Sequence, residues 1–215
     1  CYVPQEGLVL NKNRPGALVC EAITRAIKTL TEGSRGDNRD DFINEFEVYW
    51  RSLPEAKSVL SFVSPSQSVR EIKAIKHLNQ KKDTYSGLSD SITAVQEYFS
   101  GDARSITFAQ GFNALYVPLE AGTFLLPPKT GQFWSRDEIR QSVFAHISDQ
   151  NARSLKKLTQ KWKPNEILVL KLPRPAGGEV LLGIHFEGVK RDHPLNSDGY
   201  ATKIMPILLE RKDKD

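Results

Sequence analysis

No apolar run in this 215-residue sequence approaches the roughly 20 residues that cross a bilayer, and its first residues lack the basic-then-apolar profile of a secretory leader. Neither a membrane span nor a targeting segment is expected. Cysteine is scarce: the two cysteines, Cys1 and Cys20, form no CxxC pair and no disulfide framework, a usage that fits a reducing cytoplasm. There is no glycine-rich phosphate loop, no GxGxxG, no HExxH and no clustered set of metal ligands. Charge of one sign is lacking too, since 30 basic residues are interleaved with 26 acidic ones for a net charge of +4. The densest basic stretch, Arg153, Lys156, Lys157, Lys161 and Lys163, has Trp162 as its only aromatic and reads as a solvated helix face. No recognition motif accompanies it, so nucleic acid is not an expected partner.

What remains is a globular chain, 39% hydrophobic and 26% charged, long enough for one large domain or two small ones. Two are favoured. Val19, Ile23, Ala26 or Ile27, and Leu30 recur at helical spacing between Pro15, suited to a first turn, and Gly33, suited to a stop. A second helix is expected from Asn38 to Leu53, where Phe42, Phe46, Tyr49, Trp50 and Leu53 form an aromatic stripe and Asp40 and Asp41 complement the positive helix end. The two helices are expected to pack together.

Beyond Pro54 the pattern shifts to short apolar runs, Val59 to Val63 and Glu71 to Leu78, which read as strands separated by a Ser-Pro-Ser turn. A helix is expected from Leu88 to Phe99, and β-rich segments over Ile106 to Leu119 and Thr123 to Leu126, with Pro118 at a strand edge or end. Ser135 and Glu138 have the spacing of a capping box, opening a helix through Ile139, Val143 and Ile147; Leu155, Leu158 and Trp162 mark another. Ile167 to Leu172 and Glu179 to Phe186 flank a Pro-Ala-Gly-Gly turn as an antiparallel pair, and a last strand covers Ile204 to Leu209. Strands and helices alternate in clusters without a regular βαβ rhythm, which predicts an α+β fold with a mixed, mainly antiparallel sheet.

The four histidines, His77, His146, His185 and His193, are scattered and suggest no triad. Cysteine is the candidate nucleophile, because a modest fall from a pKa of about 8.5 makes the thiolate abundant at neutral pH. Cys20 shares a helical face with Ile23, Ile27 and Leu30 and is expected to be a small buried hydrophobe. Cys1 instead precedes a loop, Tyr2 to Arg14, that lacks the Ser/Gly tether of a lipoprotein. Three readings stay open for Cys1: an acyl-carrying cysteine, an N-terminal nucleophile freed by processing, or a residue with no role.

The run Cys1-Tyr2-Val3-Pro4, then Asn13-Arg14-Pro15-Gly16-Ala17 and a helix, then Asn38-Arg39-Asp40-Asp41-Phe42 and Glu45-Phe46-Glu47-Val48-Tyr49-Trp50, resembles the second half of prokaryotic ubiquitin-conjugating-enzyme-like domains of family B. Gly183 to Gly188, His193-Pro194-Leu195 and Pro206 to Asp213 look like the segment leading into a ThiF-type adenylation domain. The resemblance implies three parts: residues 1–55 as the tail of a ubiquitin-conjugating-like domain, 56–203 as a connecting α+β domain, and 204–215 as a lead-in to an adenylation domain. It implies that Cys1 carries an activated ubiquitin-like modifier as a thioester, with the modifier and the adenylation domain of the parent chain as partners. ATP and Mg would belong to that adenylation domain, and no cofactor to this chain. The sheet and asparagine expected before the cysteine are missing from this sequence, so the resemblance implies that the chain alone is inactive. The alternative is a non-catalytic structural or protein-interaction module.

Overall fold

The computed structural model describes residues 15–37, 48, 50, 53, 56–77, 85–100, 108–121, 123, 135–160, 166–174, 177–188, 193–196 and 203–211. The chain divides into two compact units, Cys1–Asn44 and Glu45–Asp215. The described part of the first is helix α1, Pro15–Arg35. Pro15 occupies a position where its missing N–H costs nothing. The helix runs past Gly33 and stops at Gly36, whose φ of 77° suits a residue without a Cβ. There the Asp37 N–H donates to the Glu32 carbonyl at 2.9 Å and the Gly36 N–H to the Gly33 carbonyl at 3.2 Å, satisfying carbonyls left over by the last turn. The expected packing of α1 on a helix over Asn38 to Leu53 falls largely outside the described residues.

The second unit is an α+β fold built on a closed barrel of seven strands: β1 Lys57–Phe62, β2 Arg70–His77, β3 Tyr85–Ser89, β4 Phe108–Pro118, β5 Glu166–Pro173, β6 Glu179–Glu187 and β7 Lys203–Arg211. Around the ring the order is β1-β3-β2-β4-β5-β6-β7. Pairings β2/β3, β2/β4, β5/β6 and β6/β7 are antiparallel; β1/β3, β4/β5 and β1/β7 are parallel. The expected hairpin is present, Leu170 facing Leu182 in register, with positive φ at Gly177 and Gly178 in its turn. Pro118 ends β4, where a missing donor interrupts no ladder. Pro206 stands just before the stretch of β7 that pairs with β1, which begins at Ile207.

Helix α2, Ile92–Phe99, follows β3 and is capped by the Ser91 hydroxyl, which accepts from the Ala94 N–H. The expected start at Leu88 is therefore corrected. Leu88 lies in β3, fully buried inside the barrel, and the helix begins only after its serine cap. Between β4 and β5 the parallel crossover carries α3, Arg136–Ala145, and α4, Asp149–Thr159. Ser135 and Glu138 form the expected capping box. The backbone N–H and hydroxyl of Ser135 hold the Glu138 carboxyl below its usual range, against a small opposing effect of burial. Among the described residues no helix is long and apolar enough to cross a membrane.

Burial on both faces explains why β5 is apolar at successive positions from Ile167 to Leu170. Ile167 and Val169 point inward with Ala114, Tyr116, Leu181, Ile207, Val59, Ile72 and Leu88, forming the barrel interior. Leu168, Leu170 and Leu172 point outward with Leu115, Val117, Leu182, Ile184 and Phe186, and pack under Ile139, Val143 and Leu155 of α3 and α4. Trp50 and Leu53 belong to this outer core. The sequence places them on the aromatic stripe of a terminal helix; in the structure they are buried against the barrel. A third, small cluster joins Ile75 to Val95, with Phe62, Ile92 and Phe99 of β1 and α2 packed on it.

Candidate functional site

Cys1, the expected thioester residue, lies outside the described residues. α1, which follows it in the chain, is amphipathic by sequence, yet none of its residues is buried. Val19, Ile23, Ile27 and Leu30 are between 54% and 71% exposed and form one stripe along the helix. Beside the stripe two helical ion pairs close at the favoured spacing, Arg25 with Glu21 at 2.6 Å and Lys28 with Glu32 at 3.7 Å. Cys20 is exposed. The expectation of a buried Cys20 is thus corrected, for the physical reason that the face it shares with Ile23 and Ile27 is open to solvent.

Each described histidine has a packing role. The His146 ring Nδ1 lies 2.9 Å from the Ser142 carbonyl at the end of α3. His193 is fully buried, accepts the Leu195 N–H on Nδ1 at 3.1 Å, and meets the Phe186 ring edge-on at 5.6 Å. His185 is mid-strand in β6 and buried; desolvation holds its pKa down, with Glu187 opposing and Lys57 and Lys76 assisting. Burial thus favours its neutral form. For His77 only the backbone is described, at the end of β2. Of the basic run, Lys156 holds its ammonium 5.9 Å over the Phe144 ring, while Lys161 and Lys163 lie outside the described residues. Among the described residues no group of three His, Cys, Asp or Glu has the arrangement to hold a metal ion.

The polar side chains that the structure does bring together sit at one mouth of the barrel. The pairing directions place the C-terminal ends of β1, β3, β4, β5 and β7 and the N-terminal ends of β2 and β6 at that mouth. Arg70, the first residue of β2, stacks its guanidinium on the Tyr116 ring at 4.3 Å. Its Nε donates to Asp90 at 2.8 Å, and its Nη2 donates to Asp90 at 3.2 Å and to the Ser64 carbonyl at 2.6 Å. Asp90 also accepts the Ser64 N–H at 2.8 Å. Burial alone would raise the Asp90 pKa, but hydrogen bonds from Arg70 and Ser64 and the Arg70 charge outweigh it and hold the carboxyl below its usual range.

The loop between β1 and β2 is tied down over this mouth. The Tyr116 hydroxyl both donates to the Ser66 carbonyl and accepts the Ser66 N–H, each at 3.1 Å. From α4, Asn151 accepts the Val69 N–H at 3.2 Å and donates to the Gln67 carbonyl at 2.9 Å. On β5, Lys171 continues the inward parity of Ile167 and Val169, is 4% exposed, and has its ammonium 3.5 Å from Glu179 of β6. The sequence alone marks none of Ser61, Arg70, Lys171 or Glu179 as a candidate for chemistry. One signal was present: Lys171 interrupts the run Ile167 to Leu172, where every other side chain is apolar and buried.

No curated protein matches the chain. Residues 1–59, which contain the whole of α1, Trp50, Leu53 and the first half of β1, match the sequence model of prokaryotic E2 family B, and this supports a prokaryotic E2-like domain in that stretch with a role related to ubiquitin-like conjugation.

Proposed function

We propose that the chain is part of a bacterial ubiquitin-like conjugation enzyme in which Cys1 carries the activated modifier as a thioester. The observation that carries this reading is the match to prokaryotic E2 family B, which begins at Cys1 and extends through α1. The Cys1 thiolate would attack the carbonyl carbon of the modifier's C-terminal acyl-adenylate, forming the C–S bond as the C–O bond breaks and AMP departs. An acceptor amine would then attack the thioester carbonyl, forming the amide as the C–S bond breaks and the thiol is restored. The adenylate would come from a ThiF-type adenylation domain of the same parent chain, which would also bind the ATP and Mg. The barrel unit would act as the connecting domain, holding carrier and activating sites at high effective concentration in the cytoplasm.

The test uses the full-length parent with ATP, Mg and its ubiquitin-like partner, and looks for an adduct at Cys1 that thiol reagents release. Cys1→Ser should abolish that thiol-sensitive adduct, whereas Cys20→Ser should retain it. Absence of the adduct with a competent partner, or its loss in Cys20→Ser instead, overturns the assignment. A second reading, a non-catalytic interaction module, is favoured by the solvent-facing stripe of α1. In that case Cys1→Ser would leave every function of the parent intact.

A further inference from the structure

We propose that the barrel mouth lined by Ser61, Arg70 and Lys171 is a binding site for a small oxyanion, a carboxylate or phosphate group. Donors on three strands lie toward that end of the barrel with more hydrogen-bonding capacity than their neighbours use. Ser61 is 2% exposed, follows the inward parity of Val59 and Val63 in β1, and its hydroxyl has no hydrogen-bond partner among the described residues. Arg70 commits Nε and Nη2 to Asp90 and Ser64, but its buried Nη1 has no partner among the described residues. Lys171 has three N–H donors by its chemistry and faces one carboxylate, Glu179, at 3.5 Å. Buried donors left unsatisfied are costly, so spare N–H and O–H groups on three strands at one end of one barrel point to an acceptor-rich ligand and not to chance.

Register relates the positions of Arg70 and Lys171. Arg70 pairs directly with Tyr116 on β4, Tyr116 with Val169 on β5, and Lys171 stands two residues beyond Val169 on the same face. Inward positions on the adjoining strands β2, β4 and β5 thus carry Arg70, its aromatic support Tyr116 and Lys171. Both cations already have a carboxylate, Asp90 for Arg70 and Glu179 for Lys171, so recognition rests on spare donors more than on excess positive charge. Oxygen acceptors suit this set, because charge-assisted N–H···O bonds to an oxyanion are stronger than neutral ones. The mouth of a β-barrel, with a few polar groups over an apolar floor such as Ile72, Val169 and Leu181, is a recurrent place for a small ligand. The site is independent of Cys1 and of the conjugation chemistry.

The test is a nuclear magnetic resonance titration of the full chain with sodium acetate and, separately, sodium phosphate at constant ionic strength. Saturable shifts are expected at the Ser61 amide, the Arg70 guanidinium and the Lys171 ammonium. Saturation by acetate alone assigns a carboxylate, by phosphate alone a phosphate, and by both a general oxyanion site. Lys171→Met and Ser61→Ala should each weaken the apparent affinity by roughly tenfold or more. The proposal is overturned if neither probe gives saturable shifts in the wild-type chain, if the shifts persist unchanged in both variants, or if a crystal grown with each probe shows only ordered water on Arg70 Nη1 and Ser61 Oγ. The wild-type titration decides the matter even where a variant fails to fold.

Discussion

Gly183→Ala should destabilise the barrel because the new methyl has nowhere to go. Gly183 sits on the inward face of β6 directly opposite Ile207 of β7. A Cβ at that position would lie 2.8 Å from the Ile207 Cβ, 3.2 Å from its Cγ2 and 3.2 Å from its carbonyl oxygen. Ordinary contact begins near 3.4 Å, so the two strands must part by about 0.6 Å, and the obstructing atoms are attached to or part of the backbone. A rotamer change at Ile207 moves Cγ2 but not Cβ. Overpacking of this kind costs about 1–3 kcal/mol. Ile207→Ala alone opens a hole and costs about 2–5 kcal/mol. In the double variant, Ile207→Ala removes Cγ2 and the rest of the bulk that hinders strand relaxation, and the methyl introduced on β6 fills part of the hole. The pair should therefore be more stable than the sum of the single losses predicts, by at least about 0.5 kcal/mol. Urea unfolding followed by far-UV circular dichroism, with an unchanged m-value, would measure all four corners. Additivity within experimental error, or a neutral Gly183→Ala, would refute the packing argument.

Two further outcomes are expected. Trp50→Ala should cost about 3–5 kcal/mol in urea unfolding, since the indole is fully buried in the outer core that also contains Leu115 and Leu168; a loss below about 1 kcal/mol would show that it is not an integral part of that core. Asp90 has a folded pKa below its unfolded value, so it stabilises the fold above pH 3.8 and that contribution disappears as the pH falls through the lower folded value. Asp90→Asn should accordingly flatten the acid limb of the stability–pH curve, and an unchanged acid limb would contradict the Arg70 pairing.

Local structure was the legible part of this sequence, because its causes are local. The Ser135 and Glu138 spacing, the turn before Glu179 and the helical period of α1 all state a geometry within a few residues, and the structure has each of them. Leu88 misled because a single apolar residue fits either a strand end or a helix start, and only its place inside the barrel decides. Trp50 and Leu53 are buried as the stripe implies, but an aromatic stripe says that a face is buried and not against what. Nothing in the runs themselves announces that β1 pairs in parallel with β7, since a parallel partner leaves no turn signal between the two. The mouth residues were hidden in the same way. Arg70 and Lys171 come to one end of the barrel through the registers of β2, β4 and β5, and each alone looks like an ordinary charged residue in a strand.

The seam between β1 and β7 has a consequence for how the molecule is made. Val59 finds its partner Leu209 only after β2 to β6 have all been synthesised. Until then β1 and β6 each present an unzipped flank of amide and carbonyl groups, the kind of flank that recruits stray strands. The late arrival of one nine-residue segment, Lys203–Arg211, thus seals two open sides in a single step. Such a ring pairs distant stretches of chain and is expected to form slowly, so the barrel unit passes through its most adhesive stage just before β7 docks.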